Sequence, residues 1–253
     1  MTARLELLAI PGLPMVEAGD DLPALILAGL DRAGMALQPR DVVVIAQKVV
    51  SKAEGRMVDL AEIVPTARAV ELAAQVGKDP RIVEVVLSDS AKVVRSRPNL
   101  MIMQHRLGFV MANAGVDQSN VHESDGRQRA LLLPLDPDGS AERIRQALSV
   151  RAEVAVVISD SFGRPWRRGT AGVAIGAAGL PSLIDLRGKP DLFGRTLEVS
   201  IIGFADEIAA AASLLQGQAN EAQPVVILRG LSWTAPNCPV ADVIRPPEED
   251  LFQ

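Results

Sequence analysis

The chain has 253 residues, with 26 basic and 31 acidic side chains for a formal charge of −5, and is 48% hydrophobic and 23% charged. That length supports a full hydrophobic core in one large domain or two small ones, and the composition excludes a disordered chain. The acidic balance, the absence of tyrosine and the 3% aromatic content argue against a nucleic-acid binder; the single Cys238 excludes a disulfide framework and a cysteine-based zinc site, and two histidines, His105 and His122, leave little room for an imidazole-rich metal centre.

Along the chain, residues 4–10 are apolar and suit a strand. Pro11, Gly12, Leu13 and Pro14 follow as a constrained loop, because two prolines fix φ while the glycine frees it. Asp20 or Asp21 can cap a helix over 22–32, Pro39-Arg40-Asp41 reads as a turn, and the β-branched run 42–46 reads as a buried strand. Residues 51–56 read as a polar loop. Thr66 opens a helix to residue 76, and Pro80 opens another through 87. Strands are expected at 100–104, 109–112 and 131–133, with a polar, irregular stretch over 115–129. Residues 136–140 are expected to turn and then cap a helix through 150.

Residues 153–158 form a strongly apolar strand that runs into Ser159-Asp160-Ser161. The Gly- and Ala-rich segment 172–179 predicts close approach of backbones. A strand at 197–202, a helix at 205–215 with Asp206 and Glu207 in its first turn, and a strand at 223–228 complete the series. The tail from Pro236 is proline-rich and acidic and is expected to wrap the surface. Strands and helices without a βαβ rhythm predict an α+β fold. No linker marks a boundary, so residues 1–253 read as a single unit whose internal lobes, if present, have no visible limits. Residues 1–10 lack the apolar core of a secretory leader. The longest uncharged run, 169–184, is short and broken by glycines and Pro181. A cytoplasmic protein without membrane or nucleic-acid partners is the expectation.

P-loop, dinucleotide-fold and nucleophile-elbow motifs are absent. Four polar clusters nevertheless stand at element ends, where a rigid element can aim side chains at a ligand. Gln47, Lys48, Ser51, Lys52 and Glu54 suit an anion grip with Lys52 as a point charge on phosphate, or a solvated loop. Asn113 through Asn120 offers Asp117 and Asn120 to a hard cation and its phosphate, or is an Asx-rich turn. Asp160 and Ser161 make a magnesium corner beside Arg164, Arg167 and Arg168, which can hold an anionic substrate; the alternative is a cap followed by a basic surface patch. Gln216 through Glu221 is a ligand loop or a glycine-terminated helix followed by a turn. His105, His122 and Cys238 have no partner that would make them catalytic. Trp166 and Trp233 read as packing residues, with Trp166 also placed to line a pocket among the arginines. From residues alone the chain reads as an enzyme using a divalent cation on a phosphate-bearing ligand, with a metal-dependent hydrolase and a non-catalytic ligand-binding or interaction protein both open.

The same clusters, in order, resemble the coenzyme F420-0:γ-glutamyl ligase family nearly end to end. The carriers are Gly12-Leu13-Pro14 with Glu17-Ala18-Gly19-Asp20-Asp21-Leu22, then Val50-Ser51-Lys52-Ala53-Glu54-Gly55-Arg56, then Asn113-Ala114-Gly115-Val116-Asp117-Gln118-Ser119-Asn120-Val121. Leu132-Leu133-Pro134-Leu135-Asp136-Pro137-Asp138-Gly139-Ser140-Ala141 follows, then Ser159-Asp160-Ser161 with Gly163-Arg164 and Arg167-Arg168-Gly169, then Asp191-Leu192-Phe193-Gly194-Arg195 and Ala205-Asp206-Glu207-Ile208-Ala209. Each is weak alone; in register over the whole chain they are specific. The resemblance implies an α+β fold with mixed, mainly antiparallel sheets in an intertwined homodimer. It implies a ligase that uses GTP to add L-glutamate to the deazaflavin precursor coenzyme F420-0 through an acyl phosphate, with further γ-linked glutamates possible.

The resemblance further implies Mg²⁺ or Mn²⁺, two per site, with a monovalent cation such as K⁺. It places the metals on Asp117, Asp160, Ser161 and Gln218, the last standing where the family usually has Glu, so that an amide oxygen ligates with one charge fewer. It places GTP against Pro11, Gly12, Leu13, Pro14, Gln47, Lys48, Lys52 and Asn120, and against Gln216, Gly217, Gln218, Ala219, Asn220, Glu221, Ala222 and Gln223. Asp117, Asp160 and Lys52 are the implied catalytic groups. Archaeal relatives often have small hydroxyl residues where Gln47 and Lys48 stand. Some bacterial relatives carry a fused C-terminal flavin-binding reductase domain, which a chain ending at Gln253 is expected to lack. The chemistry suits these residues: a carboxylate is already ionised at neutral pH and needs no histidine base to attack phosphorus.

Overall fold

The computed structural model describes residues 4–119 and 126–250. The N-terminal strand β1 (Glu6–Ala9) leads to α1 (Leu22–Ala33), which begins where the Asp21 carboxylate accepts the Ala24 N–H at 3.0 Å and stops at left-handed Gly34, φ 62°. The β-branched run makes β2 (Val42–Ala46), and the chain turns directly into α2 (Gln47–Ala53). The first half of the polar loop expected over 51–56 is therefore helical. Good helix formers continue unbroken until Gly55, Val50 enters the core, and Ser51 Oγ donates to Gln47 Oε1 one turn earlier at 2.8 Å.

A short strand β3 (Met57–Asp59) precedes the helices α3 (Ala67–Val76), capped by Thr66, and α4 (Pro80–Ser88), capped by Asp79. Strands β4 (Ser90–Arg97), β5 (Leu100–His105) and β6 (Val110–Ala112) form an antiparallel sheet. The largely exposed β4 carries no apolar alternation, which is why sequence pattern passed it over. Then β7 (Arg129–Leu131) pairs with β3, two residues earlier than the strand expected at 131–133. Helix α5 (Pro137–Leu148) absorbs the turn expected at 136–140. Asp136 caps it by accepting the Gly139 N–H at 3.0 Å, and Pro137 occupies the first turn, where its missing N–H costs nothing.

Strands β8 (Ala155–Gly163) and β9 (Thr170–Ala178) form a long hairpin. The minimal pair β10 (Ile184–Asp185) and β11 (Ile201–Ile202) uses only the end of the strand expected over 197–202. Helix α6 (Phe204–Gln216) and β12 (Val225–Arg229) follow. The tail is anchored where the Asp138 carboxylate accepts the Val240 N–H at 3.0 Å.

The central sheet has the order β1-β12-β2-β8-β9, antiparallel throughout except for the parallel β2–β8 pair. The α+β expectation with mixed, mainly antiparallel sheets holds. The long crossing from β2 to β8 contains a second core, built on Leu72, Val76, Val83, Val86, Met101 and Met103. The first core lies around the five-stranded sheet. Arg56 joins the two: its Nε donates to the Leu133 carbonyl at 2.9 Å and its Nη2 to Asp89 at 3.0 Å. Burial pushes the Asp89 carboxyl up, yet His105, Arg106 and Arg56 around it hold it below the ordinary 3.8. His105 is therefore a fully buried residue of the lobe junction.

The close approach expected in 172–179 is real. A Cβ on Gly172 would lie 2.3 Å from the Ala209 carbonyl, and one on Gly176 would lie 2.4 Å from the Pro137 backbone, so α6 and α5 press onto β9. Among the described residues no helix is long and apolar enough to cross a membrane.

Candidate functional site

Strand register gathers the polar clusters at one edge of the sheet. Parallel pairing places Ala46 opposite Ser159, so Gln47 and Lys48 emerge beside Asp160 and Ser161. The Ala46 N–H donates to Pro224 at 2.8 Å, bringing the end of the 217–224 loop to that edge. The Ile10 N–H donates to Val225 at 3.0 Å, which starts the 11–16 loop there as well. Apolar side chains bury the strands, and the polar residues fall where pairing ends. Carboxyl ends of adjacent parallel strands are common ligand sites for this reason.

A pocket of about 300 Å³ opens at this edge. Its lining includes Leu13 and Pro14 from the first loop, Gln47, Lys48 and Lys52 from α2, Asp160 and Ser161 from β8, and all eight residues from Gln216 to Gln223. Pro11 and Gly12 lie outside the lining; Gly12 instead offers its carbonyl to Arg32 at 3.0 Å. Asn120 and His122 fall outside the described residues. Met15, Val16, Ser159, Ser213 and Pro224 also line the pocket. Met15 and Val16 carry no polar signal, and Ser213 is legible only from its place one turn before the end of α6.

Asp117 comes from the second lobe, held by paired backbone hydrogen bonds with Leu131 at 3.0 and 2.8 Å. It meets the pocket through Lys48, whose Nζ lies 2.7 Å from Asp117 Oδ2 and 2.7 Å from Ser119 Oγ. The Ser119 N–H and hydroxyl both donate to the Asp117 carboxylate, at 2.7 and 2.8 Å. Burial raises the proton affinity of Asp117, but Lys48 and Ser119 outweigh it and the carboxyl stays below 3.8.

Asp160 behaves oppositely. Crowding by protein pushes it up to about 6; the Ser161 N–H at 2.8 Å and Lys48 pull it down, and the neighbouring Asp117 charge adds to the rise. The two carboxylates from separate lobes thus lie within electrostatic reach of each other and of Lys48. Lys52, one helical turn beyond Lys48, is buried, and burial together with Lys48 lowers its ammonium below 10.5. The α2 face aimed at the site is therefore cationic and poorly hydrated, suited to a polyanion.

The Gln218 carboxamide oxygen accepts from Ser161 Oγ at 2.7 Å, and Gln216 Oε1 accepts from Ser159 Oγ at 3.3 Å. Glu221 folds back to accept the Ala219 N–H at 2.8 Å, which lowers its carboxyl below 4.5. Among the described residues no three His, Cys, Asp or Glu side chains cluster for a metal. The donors that converge here are two carboxylates, a hydroxyl and an amide oxygen. An all-oxygen set that includes two carboxylates fits a hard divalent cation. The arginines expected beside Asp160 lie outside the pocket lining, on the β8–β9 hairpin loop, and Trp166 there is 89% exposed. Trp233 does pack, 6.0 Å from the Phe204 ring.

The family profile described as F420-0:Gamma-glutamyl ligase matches residues 12–230. The chain is 46% identical to "Coenzyme F420:L-glutamate ligase" of Methanothermobacter thermautotrophicus, over 98% of this chain and 99% of that one. Proteins of the same name from Methanopyrus kandleri and Methanocaldococcus jannaschii are 44% and 40% identical, covering 100% and 95% of this chain and 98% and 94% of theirs. The match spans both lobes, the strand ends of the pocket and the segment that carries Asp117, and on that ground the chain belongs to the F420-0:γ-glutamyl ligase family.

Proposed function

We propose that this chain is a GTP-dependent ligase that joins L-glutamate to coenzyme F420-0 through an acyl phosphate and can extend the product with γ-linked glutamates. The names of its full-length relatives support the ligation. The observation that carries the mechanism is the convergence of Asp160, Asp117 and the α2 lysines at a pocket walled by residues 216–223.

In the first step an acceptor carboxylate oxygen bonds to the γ-phosphorus while the β,γ-bridging bond breaks and GDP leaves. In the second, the glutamate nitrogen bonds to the acyl carbon, inorganic phosphate leaves, and the nitrogen gives up its proton as the amide forms. Leu13, Pro14 and the loop 216–223 hold the nucleotide, and Lys52 places a fixed charge on its phosphates. Asp117, Asp160, Ser161 and Gln218 hold Mg²⁺ or Mn²⁺, two ions per site, accompanied by K⁺. Bound there, the cations neutralise like charges that otherwise keep a carboxylate from a nucleotide. Lys48, 2.7 Å from Asp117 and lining the same pocket, would add a second positive charge beside the phosphates. Nearly fully exposed Leu192 and Phe193, on the segment between β10 and β11, support a homodimer.

The test is GDP release measured with and without L-glutamate and coenzyme F420-0, with product mass. Acceptor-dependent release and a gain of one glutamyl unit are expected. Acceptor-independent release would instead make the protein a nucleotide hydrolase.

A further inference from the structure

The chain leaves α2 through a buried ionic cluster that lies outside the pocket lining. Arg56 donates from Nε to the Leu133 carbonyl at 2.9 Å and from Nη2 to Asp89 at 3.0 Å, and Arg106 reaches the other Asp89 oxygen at 3.2 Å. Asp89 is buried and His105 fully so. The His105 Nδ1 accepts the Leu107 N–H at 2.9 Å, so the neutral ring carries its proton on Nε2, which faces Asp89 at 3.7 Å. That distance is too long for a hydrogen bond, and a buried donor left short of its acceptor subtracts from stability. Buried ionic clusters seldom outdo apolar packing of the same volume; their best-attested use is to fix register.

The register fixed here is that of the site. The Arg56 N–H donates to the Ser51 carbonyl at 2.9 Å, on the helix that carries Lys48 and Lys52, and the Arg56 carbonyl accepts the Leu132 N–H at 3.1 Å. Leu132 and Leu133 directly follow Leu131, whose backbone holds Asp117. One residue thus ties the exit of α2 to the strand end that anchors Asp117, and Lys48 meets Asp117 at 2.7 Å. The far side of the cluster leads to β8. The His105 N–H donates to the Phe109 carbonyl at 2.8 Å, and the Phe109 ring lies 6.5 Å from that of Phe162, the residue after Ser161.

We propose that Arg56 is a positioning residue: its guanidinium fork, seated on Asp89, sets Asp117 against Lys48 and Asp160; this rests on the ligase reading above. Arg56 touches no substrate and acts through Asp117. The second lobe keeps its own core without the fork, but its placement against α2 loosens. The proposed nucleotide contacts, Leu13, Pro14 and the 216–223 loop, all come from the first lobe. Loss of the fork therefore falls on turnover and cation binding rather than on nucleotide binding.

Two variants separate placement from stability. Arg56→Met keeps the apolar stem and removes the charge. Arg56→Lys keeps the charge, but one ammonium cannot reproduce a fork that reaches Leu133 and Asp89 together. Both are expected to lower kcat for glutamate addition about tenfold or more, with the KM for GTP within about threefold. Mn²⁺ binding, followed by electron paramagnetic resonance, is expected to weaken about tenfold in Arg56→Lys, although its melting temperature stays nearer the wild type than that of Arg56→Met. Thr66→Ala, which removes the α3 cap in the same lobe, is expected to lower the melting temperature with kcat within about twofold. A kcat that tracks melting temperature across the three variants, full activity in Arg56→Lys, or failure of that variant to fold would each overturn the assignment. Wild-type protein that adds no glutamate, beside an Arg56→Lys variant with weakened Mn²⁺ binding, would sink the ligase reading and leave the positioning role standing; unchanged Mn²⁺ binding in that variant would end the role itself.

Discussion

The two ends of the central sheet make opposite use of charge. At the starting end of β8, a cavity of about 720 Å³ is lined by Arg40, Glu142, Arg145, Glu153 and Trp233, and it is larger than the pocket at the far end. Its charges are already matched. Arg145 grips Glu142 with two hydrogen bonds of 2.7 and 2.8 Å, and Arg40 lies over the Trp233 ring at 5.2 Å while donating to its carbonyl. At the other end burial opposes charge: it raises the Asp160 carboxyl and lowers the Lys52 ammonium, and the neighbouring Asp117 and Lys48 charges add to the two shifts. Volume does not locate the chemistry here. A buried carboxyl and a buried ammonium facing one pocket are the better guide.

The sharpest way to break this contrast is Asp160→Asn. Turnover is expected to fall by about 10²-fold or more in steady-state assays, with the fold intact by circular dichroism. Stability carries a second signature. A carboxyl raised from 3.8 to about 6 favours the folded state below pH 4 and loses that contribution as pH rises through 6. The metal-free wild type should therefore lose thermal stability over this window relative to Asp160→Asn. Parallel curves would mean that Asp160 is not strained. Lys52→Ala comes next: kcat/KM for nucleotide is expected to drop about 10- to 100-fold, since a desolvated positive charge facing a polyanion is removed. The smallest effect belongs at the opposite end. Arg145→Ala breaks a partly exposed pair and should leave activity within about twofold and stability within about 1 kcal/mol. A large loss of activity there would move the functional site to the bigger cavity.

Much of the frame was legible in residues. The β-branched runs of β2 and β12, the caps Asp21 and Thr66 and the glycines that admit α5 and α6 are local signals whose physics acts within a few residues. Helix α2 and the capping role of Asp136 were misread as loop and turn, because polar letters look alike on an exposed loop and on a helix face turned towards a ligand. Strand β4 was passed over because its partner, not its own pattern, makes it a strand. The site residues stood out by type, yet nothing in the spacing of Asp117 and Asp160 says that they meet.

Residue order by itself determined which stretches are apolar, most helix limits and the oxygen-rich side chains of the polar clusters, since hydrophobic patterning and capping are written in neighbouring side chains; that the apolar stretches make two cores was decided by the tertiary structure. Tertiary structure alone decided that a carboxylate from the inserted lobe reaches Lys48 beside β8, and which residues are strained there. Proton affinity depends on desolvation and on charges brought in from distant parts of the chain, and no local pattern encodes either.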